Sequence, residues 1–178
     1  MASRAPNPPL ETERLLLRDL SADDLPAYVR MYADAEVTRF LAGAPTDTEG
    51  VHDWLERRLA SNTDGSSAIR TIFERATGAF VGRSGLLTWN IDGRRETEVG
   101  YALARPYWGK GYATEAATAV RDDAVHRLGH RRLISLILVG NERSIRVAER
   151  LGMRHERDLE ILGQPAYLYA LEPSGRDR

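Results

Sequence analysis

Residues 105–115 read Arg-Pro-Tyr-Trp-Gly-Lys-Gly-Tyr-Ala-Thr-Glu, and no other stretch constrains the fold as much. It closes a segment with strand alternation and opens one with helical periodicity. Gly109 and Gly111 flank Lys110, the single lysine of the chain. Glycine lets the main chain approach a ligand closely, and the first N–H groups of a helix have no intrahelical partners. With the positive end of the helix dipole they make a ready anion site. The spacing does not fit the dinucleotide fingerprint, because Thr114 stands where the third glycine of G-x-G-x-x-G belongs. It does not fit a P-loop either, because Gly111 follows the lysine in place of Ser or Thr. An anion at a helix start is worth about 0.3–1 kcal/mol when exposed and about 2 when partly buried. A phosphorylated ligand held here would also need strand pairing and apolar contacts nearby.

On the N-terminal side of this turn lies a meander. Residues 68–74, 79–89 and 96–103 read as strands, with turns at 76–78 and at the Asp-Gly pair within 90–94. In the third strand Val99, Tyr101 and Leu103 alternate with Glu98, Gly100 and Ala102. On the C-terminal side, 113–128 is the clearest helix: Ala113, Ala116, Ala117, Val120 and Ala124 share one face, and Gly129 ends it. Residues 132–139 are almost unbroken apolar sequence, the pattern of a strand buried on both faces. Asn141 caps a helix running to 151, Gly152 stops it, and strands follow near 155–161 and 166–171. At the front, 11–19 reads as the first strand. Helices follow at 23–33, behind Ser21, at 36–41, and at 48–59, where Val51, Trp54 and Leu55 form a stripe. Residues 60–67 form a polar turn. The order describes one mixed α/β domain over 10–172, with a flexible arm at 1–9 and a polar tail at 173–178.

The 178 residues are enough for one sizeable core. Hydrophobic residues at 42%, charged residues at 29% and a net charge of −1 describe an ordinary globular chain, with no basic excess for a nucleic-acid partner. No apolar run approaches the roughly 18 residues that cross a bilayer. The first nine residues lack the apolar centre of a signal peptide. A cytoplasmic location fits. With no cysteine, disulfides, thiolate nucleophiles and cysteine metal sites are excluded. His126 and His130 are four apart, but Gly129 separates them and no H-E-x-x-H pattern is present, so no metal site is expected.

Three ordered segments carry a family resemblance: Glu98-Val-Gly-Tyr-Ala-Leu103, Pro106-Tyr-Trp-Gly-Lys-Gly-Tyr-Ala-Thr-Glu-Ala116 and Asn141-Glu-Arg-Ser144-Ile-Arg-Val-Ala-Glu-Arg-Leu-Gly-Met153. Together they resemble the GNAT superfamily of acetyl-CoA-dependent N-acetyltransferases. The opening Leu10-Glu-Thr-Glu-Arg-Leu-Leu-Leu-Arg18 is similar to the first strand of its ribosomal-protein (RimJ/RimL) subgroup. The resemblance spans 10–171. It implies a mostly antiparallel sheet of about seven strands flanked by about four helices, with two central strands splayed apart around acetyl-CoA. The family's pyrophosphate motif, [Arg/Gln]-x-x-Gly-x-[Gly/Ala], falls on Trp108 to Ala113. Gly111 and Ala113 match, and Trp108 departs from it. The resemblance places the diphosphate on Gly109, Lys110, Gly111, Tyr112, Ala113 and Thr114. It lays the pantetheine arm along Tyr101, Ala102 and Leu103, with Asn141 touching it.

The chemistry so implied is attack of a primary amine on a thioester. An ammonium has no lone pair, and α-amino and lysine groups titrate near 8 and 10.4, so a proton must be removed first. Glu98 is the first candidate base and Glu160 the second. A strand amide near Tyr101 would stabilise the oxyanion. Many relatives use a tyrosine seven residues after the asparagine as acid, but Ala148 stands there, which leaves Ser144 as the available hydroxyl. Without cysteine, transfer is direct, in a ternary complex. Tyr28, Tyr32, Phe40, Trp89 and Asn90 are candidates for shaping the acceptor site. A deep acidic pocket would suit a polyamine or aminoglycoside, and an open groove a peptide α-amine. The alternative function is a CoA-binding regulatory domain of weak catalysis. The chain is compatible with a homodimer.

Overall fold

The computed structural model describes residues 7–64 and 68–172. Leu10–Glu11 (β1) and Leu15–Asp19 (β2) form an antiparallel hairpin, with Leu10 opposite Leu17. The single strand expected over 11–19 is therefore two, because Thr12 turns the chain. Its N–H bonds Leu15 O at 2.9 Å, and its hydroxyl donates to Glu115 at 2.6 Å. A 3-10 turn at Ala22–Asp24 leads into Leu25–Tyr32 (α1), Ala35–Thr38 (α2) and Thr48–Asp64 (α3). The last helix takes in part of the expected polar turn, of which 65–67 lie outside the described residues.

The meander follows as Ala68–Glu74 (β3), Phe80–Ile91 (β4) and Arg94–Leu103 (β5). Asp92 and Gly93 both take positive φ, 51° and 77°, as a two-residue hairpin turn requires. Then come Tyr112–His126 (α4), Leu133–Leu138 (β6), Glu142–Arg150 (α5), Arg154–Ile161 (β7) and Gln164–Leu171 (β8). One sheet holds all eight strands in the order β1-β2-β3-β4-β5-β6-β8-β7. The expected seven strands and four helices become eight and five. Of the expected N-terminal arm, residues 1–6 lie outside the described residues. Asn7 is tied to Asp19 (2.8 Å), and Pro8 O accepts from the buried Arg70 at 2.6 Å.

Strand parity distributes the core over both faces. Leu15, Leu17, Val99 and Leu103 meet the small face of α4, where Ala116, Ala117 and Ala124 are fully buried, and the α5 residues Val147 and Ala148. Ile69 and Ala102 meet Tyr28, Tyr32, Trp54 and Leu55 of α1 and α3. Alanine at successive turns lets α4 approach the sheet closely, which brings the turn before it against β5.

One buried carboxylate clamps the α1 side to the sheet. Asp24 accepts from Arg18 at 2.6 and 2.9 Å, from the Thr71 hydroxyl at 2.7 Å and from Ser21 N–H at 3.0 Å. Burial pushes its pKa up, but Arg18, Thr71 and Ser21 outweigh this and hold it below the ordinary 3.8. Its stabilisation is complete above that value and fades as pH falls through the lowered one. Asp24→Ala is expected to cost about 1–3 kcal/mol in urea denaturation at pH 7, with the loss shrinking in acid. A cost under about 0.5 kcal/mol at pH 7 would contradict the clamp.

Candidate active site

Strand β5 is paired with β4 along its full length, from Arg94 opposite Ile91 to Leu103 opposite Gly82. Its other edge is different. The parallel ladder to β6 consists of one pair, Glu98 with Ile134, while β6 pairs with β8 from Leu133 to Leu138. Beyond Glu98 the sheet is open between two central strands. Alternation along a strand turns every second residue's main chain toward the gap. Val99 O and Leu103 O both face that way, and each is met by a side chain: the Ser135 hydroxyl donates to Val99 O at 3.0 Å and the Trp108 indole N–H to Leu103 O at 2.7 Å. Tyr101 lies between them, with its main-chain N–H and C=O on the same edge.

The turn from β5 to α4 lies at the end of this gap. Gly109 and Gly111 take φ of 75° and 82°, values that cost a side-chain-bearing residue about 1–2 kcal/mol. Gly111 is the helix N-cap, and the first bond closing the helix runs from Glu115 N–H to Gly111 O at 3.0 Å. The N–H groups of Tyr112, Ala113 and Thr114 thus have the donor geometry of a first helical turn. Arg14 braces the turn, bonding Lys110 O at 2.9 Å and Glu115 at 2.6 Å. Lys110 is exposed, 5.2 Å from the Tyr107 ring centroid. Trp108, at the motif position where the family carries Arg or Gln, closes the end of β5 through its indole and lies under Arg143 at 4.8 Å.

A cavity of about 220 Å³ opens through the gap and is lined by residues of both sheet halves. Glu98, Tyr101, Ser135, Asn141 and Ser144 form its wall. Tyr32, Phe40, Trp54, Arg58, Arg83 and Trp89 line it as well. The 41–45 loop and Leu162 also line it, and Leu162 Cδ1 lies 2.9 Å from where a Cβ on Gly43 would stand.

Glu98 is only 8% exposed. It accepts from Trp89 Nε1 at 2.6 Å and from Leu136 N–H at 3.3 Å, across the gap. Burial raises its pKa, against the pull of Trp89, Leu136, Arg83 and Arg58. Burial also pushes the Tyr101 phenol up to about 12, and its hydroxyl donates to Ser144 O at 3.4 Å. Asn141 caps α5 by accepting from Ser144 N–H at 3.2 Å, and it faces the cavity as well. The candidates Tyr32, Phe40 and Trp89 line the cavity. Asn90, the next residue on β4, is exposed outside it, and Glu160 is exposed on β7. Tyr28 is wholly buried under the site, bonded to Thr71. Arg58 and Arg83 are cavity residues that the sequence reading missed. The stripe Val51, Trp54, Leu55 continues to Arg58 one turn later, which is the signal that could have found it.

With this geometry in view, the comparisons with known proteins agree. The model of the acetyltransferase (GNAT) domain family matches residues 14–154, and the chain belongs to that family of acetyltransferase enzymes. It is 29% identical over 161 residues to the uncharacterized protein YkkB of Bacillus subtilis (strain 168), covering 90% of this chain and 93% of that one. It is also 29% identical over 155 residues to the uncharacterized N-acetyltransferase p20 of Bacillus licheniformis, covering 85% and 86%. Among solved structures, an acetyltransferase from Agrobacterium tumefaciens str. C58 superposes with a TM-score of 0.78 at 29% identity, covering 95% and 98%. RimL, a ribosomal L7/L12 α-N-protein acetyltransferase solved with coenzyme A, shares the fold with a TM-score of 0.79 at 18% identity, covering 93% and 98%.

The Trp89–Glu98 bond has a measurable consequence. Trp89→Phe removes a donor to the charged carboxylate and is expected to raise the Glu98 pKa further, read by NMR titration. An unchanged titration would show that the indole does not stabilise the ionised form.

Proposed function

We propose that the protein is an N-acetyltransferase that moves the acetyl group of acetyl-CoA to a primary amine by direct attack in a ternary complex. The observation that carries this reading is the interrupted β5–β6 ladder, which ends in a glycine turn at the start of α4. Acetyl-CoA fits that layout. The N–H groups of 109–114 would hold its diphosphate, with Lys110 beside them. On the free edge of β5 the main chain of Tyr101 and the N–H of Leu103 would pair with the pantetheine amides, with Ala102 between them, and Asn141 would meet the arm from the other side. The cofactor supplies the activated acetyl group, and the chain supplies binding, orientation and proton transfer.

Glu98 is the proposed base. It lies on the cavity wall, and a carboxylate with a raised pKa is a better proton acceptor than an ordinary glutamate. Tyr101 N–H is the proposed oxyanion donor. Ser144 is the proposed donor of a proton to the departing thiolate, with the protonated Tyr101 phenol beside it. Glu160 is not part of this proposal, since it lies away from the cavity.

Glu98→Gln is expected to reduce turnover at pH 7 by about 10²–10⁴-fold while CoA affinity, read by calorimetry, stays within a few-fold. Turnover within threefold of the parent would exclude Glu98 as the base. Gly111→Val forces a β-branched side chain into a left-handed conformation at the phosphate turn. It is expected to weaken CoA binding at least tenfold with the far-ultraviolet circular dichroism preserved, and undiminished binding would exclude the turn as the cofactor site. Thiol release from acetyl-CoA across a panel of peptides and small amines tests the reaction itself. Tight CoA binding without turnover on any of them would contradict it.

A further inference from the structure

The acceptor side of the cavity carries two guanidinium groups and one carboxylate. Arg58 continues the inward stripe of α3, and Arg83 stands on β4 opposite Ala102, on the same sheet face as Glu98. Arg83 donates its Nε–H to the Tyr32 hydroxyl at 2.8 Å and lies 5.4 Å from the Trp54 ring centroid, so it is oriented by two neighbours. Among the described residues, neither arginine forms an ion pair. Other arginines commonly do, as Arg14 with Glu115 or Arg132 with Glu96. Among the described residues, the only acidic side chain on the cavity wall is Glu98. It is already engaged by Trp89 and Leu136, and burial opposes its charge. Burial, and then the Arg83 cation, hold the Arg58 guanidinium below its ordinary value.

Charged groups withdrawn from water are normally paired. Two arginines facing a cavity that holds one hydrogen-bonded carboxylate leave it net positive at neutral pH. We propose that Arg58 and Arg83 form an anion subsite, and that the acceptor is a small amine carrying a carboxylate within a few bonds of its nitrogen. This rests on the amine-acetylation reading above and narrows it. The guanidinium fork matches a carboxylate in two parallel hydrogen bonds. A cavity of about 220 Å³ suits a molecule of amino-acid size. A polyamine or an aminoglycoside would bring further ammonium groups against the two cations, an arrangement that disfavours binding.

The test measures thiol release at saturating acetyl-CoA for the common L-amino acids, each beside its own carboxamide, with spermidine and a C-terminally amidated neutral peptide as further arms. At least one amino acid is expected to exceed its amide at least tenfold in kcat/KM. Arg58→Gln is expected to raise KM for that acid at least tenfold and to leave the amide within threefold. Amides, spermidine or the peptide performing as well as the acids would overturn the subsite, as would an Arg58→Gln effect equal on acid and amide. Tyr32→Phe, which releases Arg83 without removing its charge, is expected to move KM in the same direction by a smaller factor.

Calorimetry of N-acetylated amino acids and their amides on the CoA-loaded protein reads anion recognition without turnover. Acid-selective binding lost in Arg58→Gln upholds the subsite even if no acceptor reacts, in which case acetyl transfer alone fails. Acid and amide binding equally, or not at all, overturns the subsite whatever the turnover.

Discussion

Two central strands of one sheet, β5 and β6, meet at a single pair and then part. A buried sheet cannot leave such an edge open without cost, because each unpaired main-chain group taken from water is a lost hydrogen bond. The chain meets that cost with side chains. Ser135 covers Val99 O, Trp108 covers Leu103 O, and Glu98 receives Leu136 N–H. Each caps one strand from a neighbouring element and leaves the Tyr101 segment between them with its edge available. The cavity and the buried glutamate both depend on this parting. If β6 zipped onto β5, the cavity would close and Tyr101 would pair with protein.

The electrostatics of the site follow from the same opening. Glu98 lies beside Ile134 where the ladder stops, so it is buried by both sheet halves yet still faces the cavity. Burial raises its proton affinity, while an indole N–H, a main-chain N–H and two guanidinium groups limit the rise. The balance suits the proton-accepting role proposed for it. The cations on α3 and β4 have a second effect, since they make the cavity positive although the chain as a whole carries −1.

The elements with strong local signals were legible in the sequence. The alternation of Val99, Tyr101 and Leu103, the alanine face of α4 and the apolar run of β6 each report packing through composition alone. The strand 68–74 matches β3 residue for residue. The break between β1 and β2 was not legible. It depends on Thr12 bonding to Glu115, a hundred residues away in a helix that only tertiary structure brings near. At the site, Glu98 could be singled out as a chemical group, but its burial, its indole donor and its two arginine neighbours could not. Arg83 sits between Gly82 and Ser84 in a strand where nothing local marks it as facing a cavity. Trp108 reads as a departure from a family motif, and only the fold shows its indole closing the end of β5. Arg58 was within reach of helical periodicity, since it extends a stripe already recognised. A charged residue on such a stripe is usually assigned to solvent.

The most direct measurement is a crystal structure of the protein grown with coenzyme A. The diphosphate is expected within hydrogen-bonding distance of the N–H groups of residues 109–114, the pantetheine amides paired with Tyr101, and the sulfur at the cavity wall near Glu98 and Ser144. Electron density for the coenzyme elsewhere, or a β5–β6 gap that stays closed to it at saturating concentration, would contradict the central role given to the split sheet.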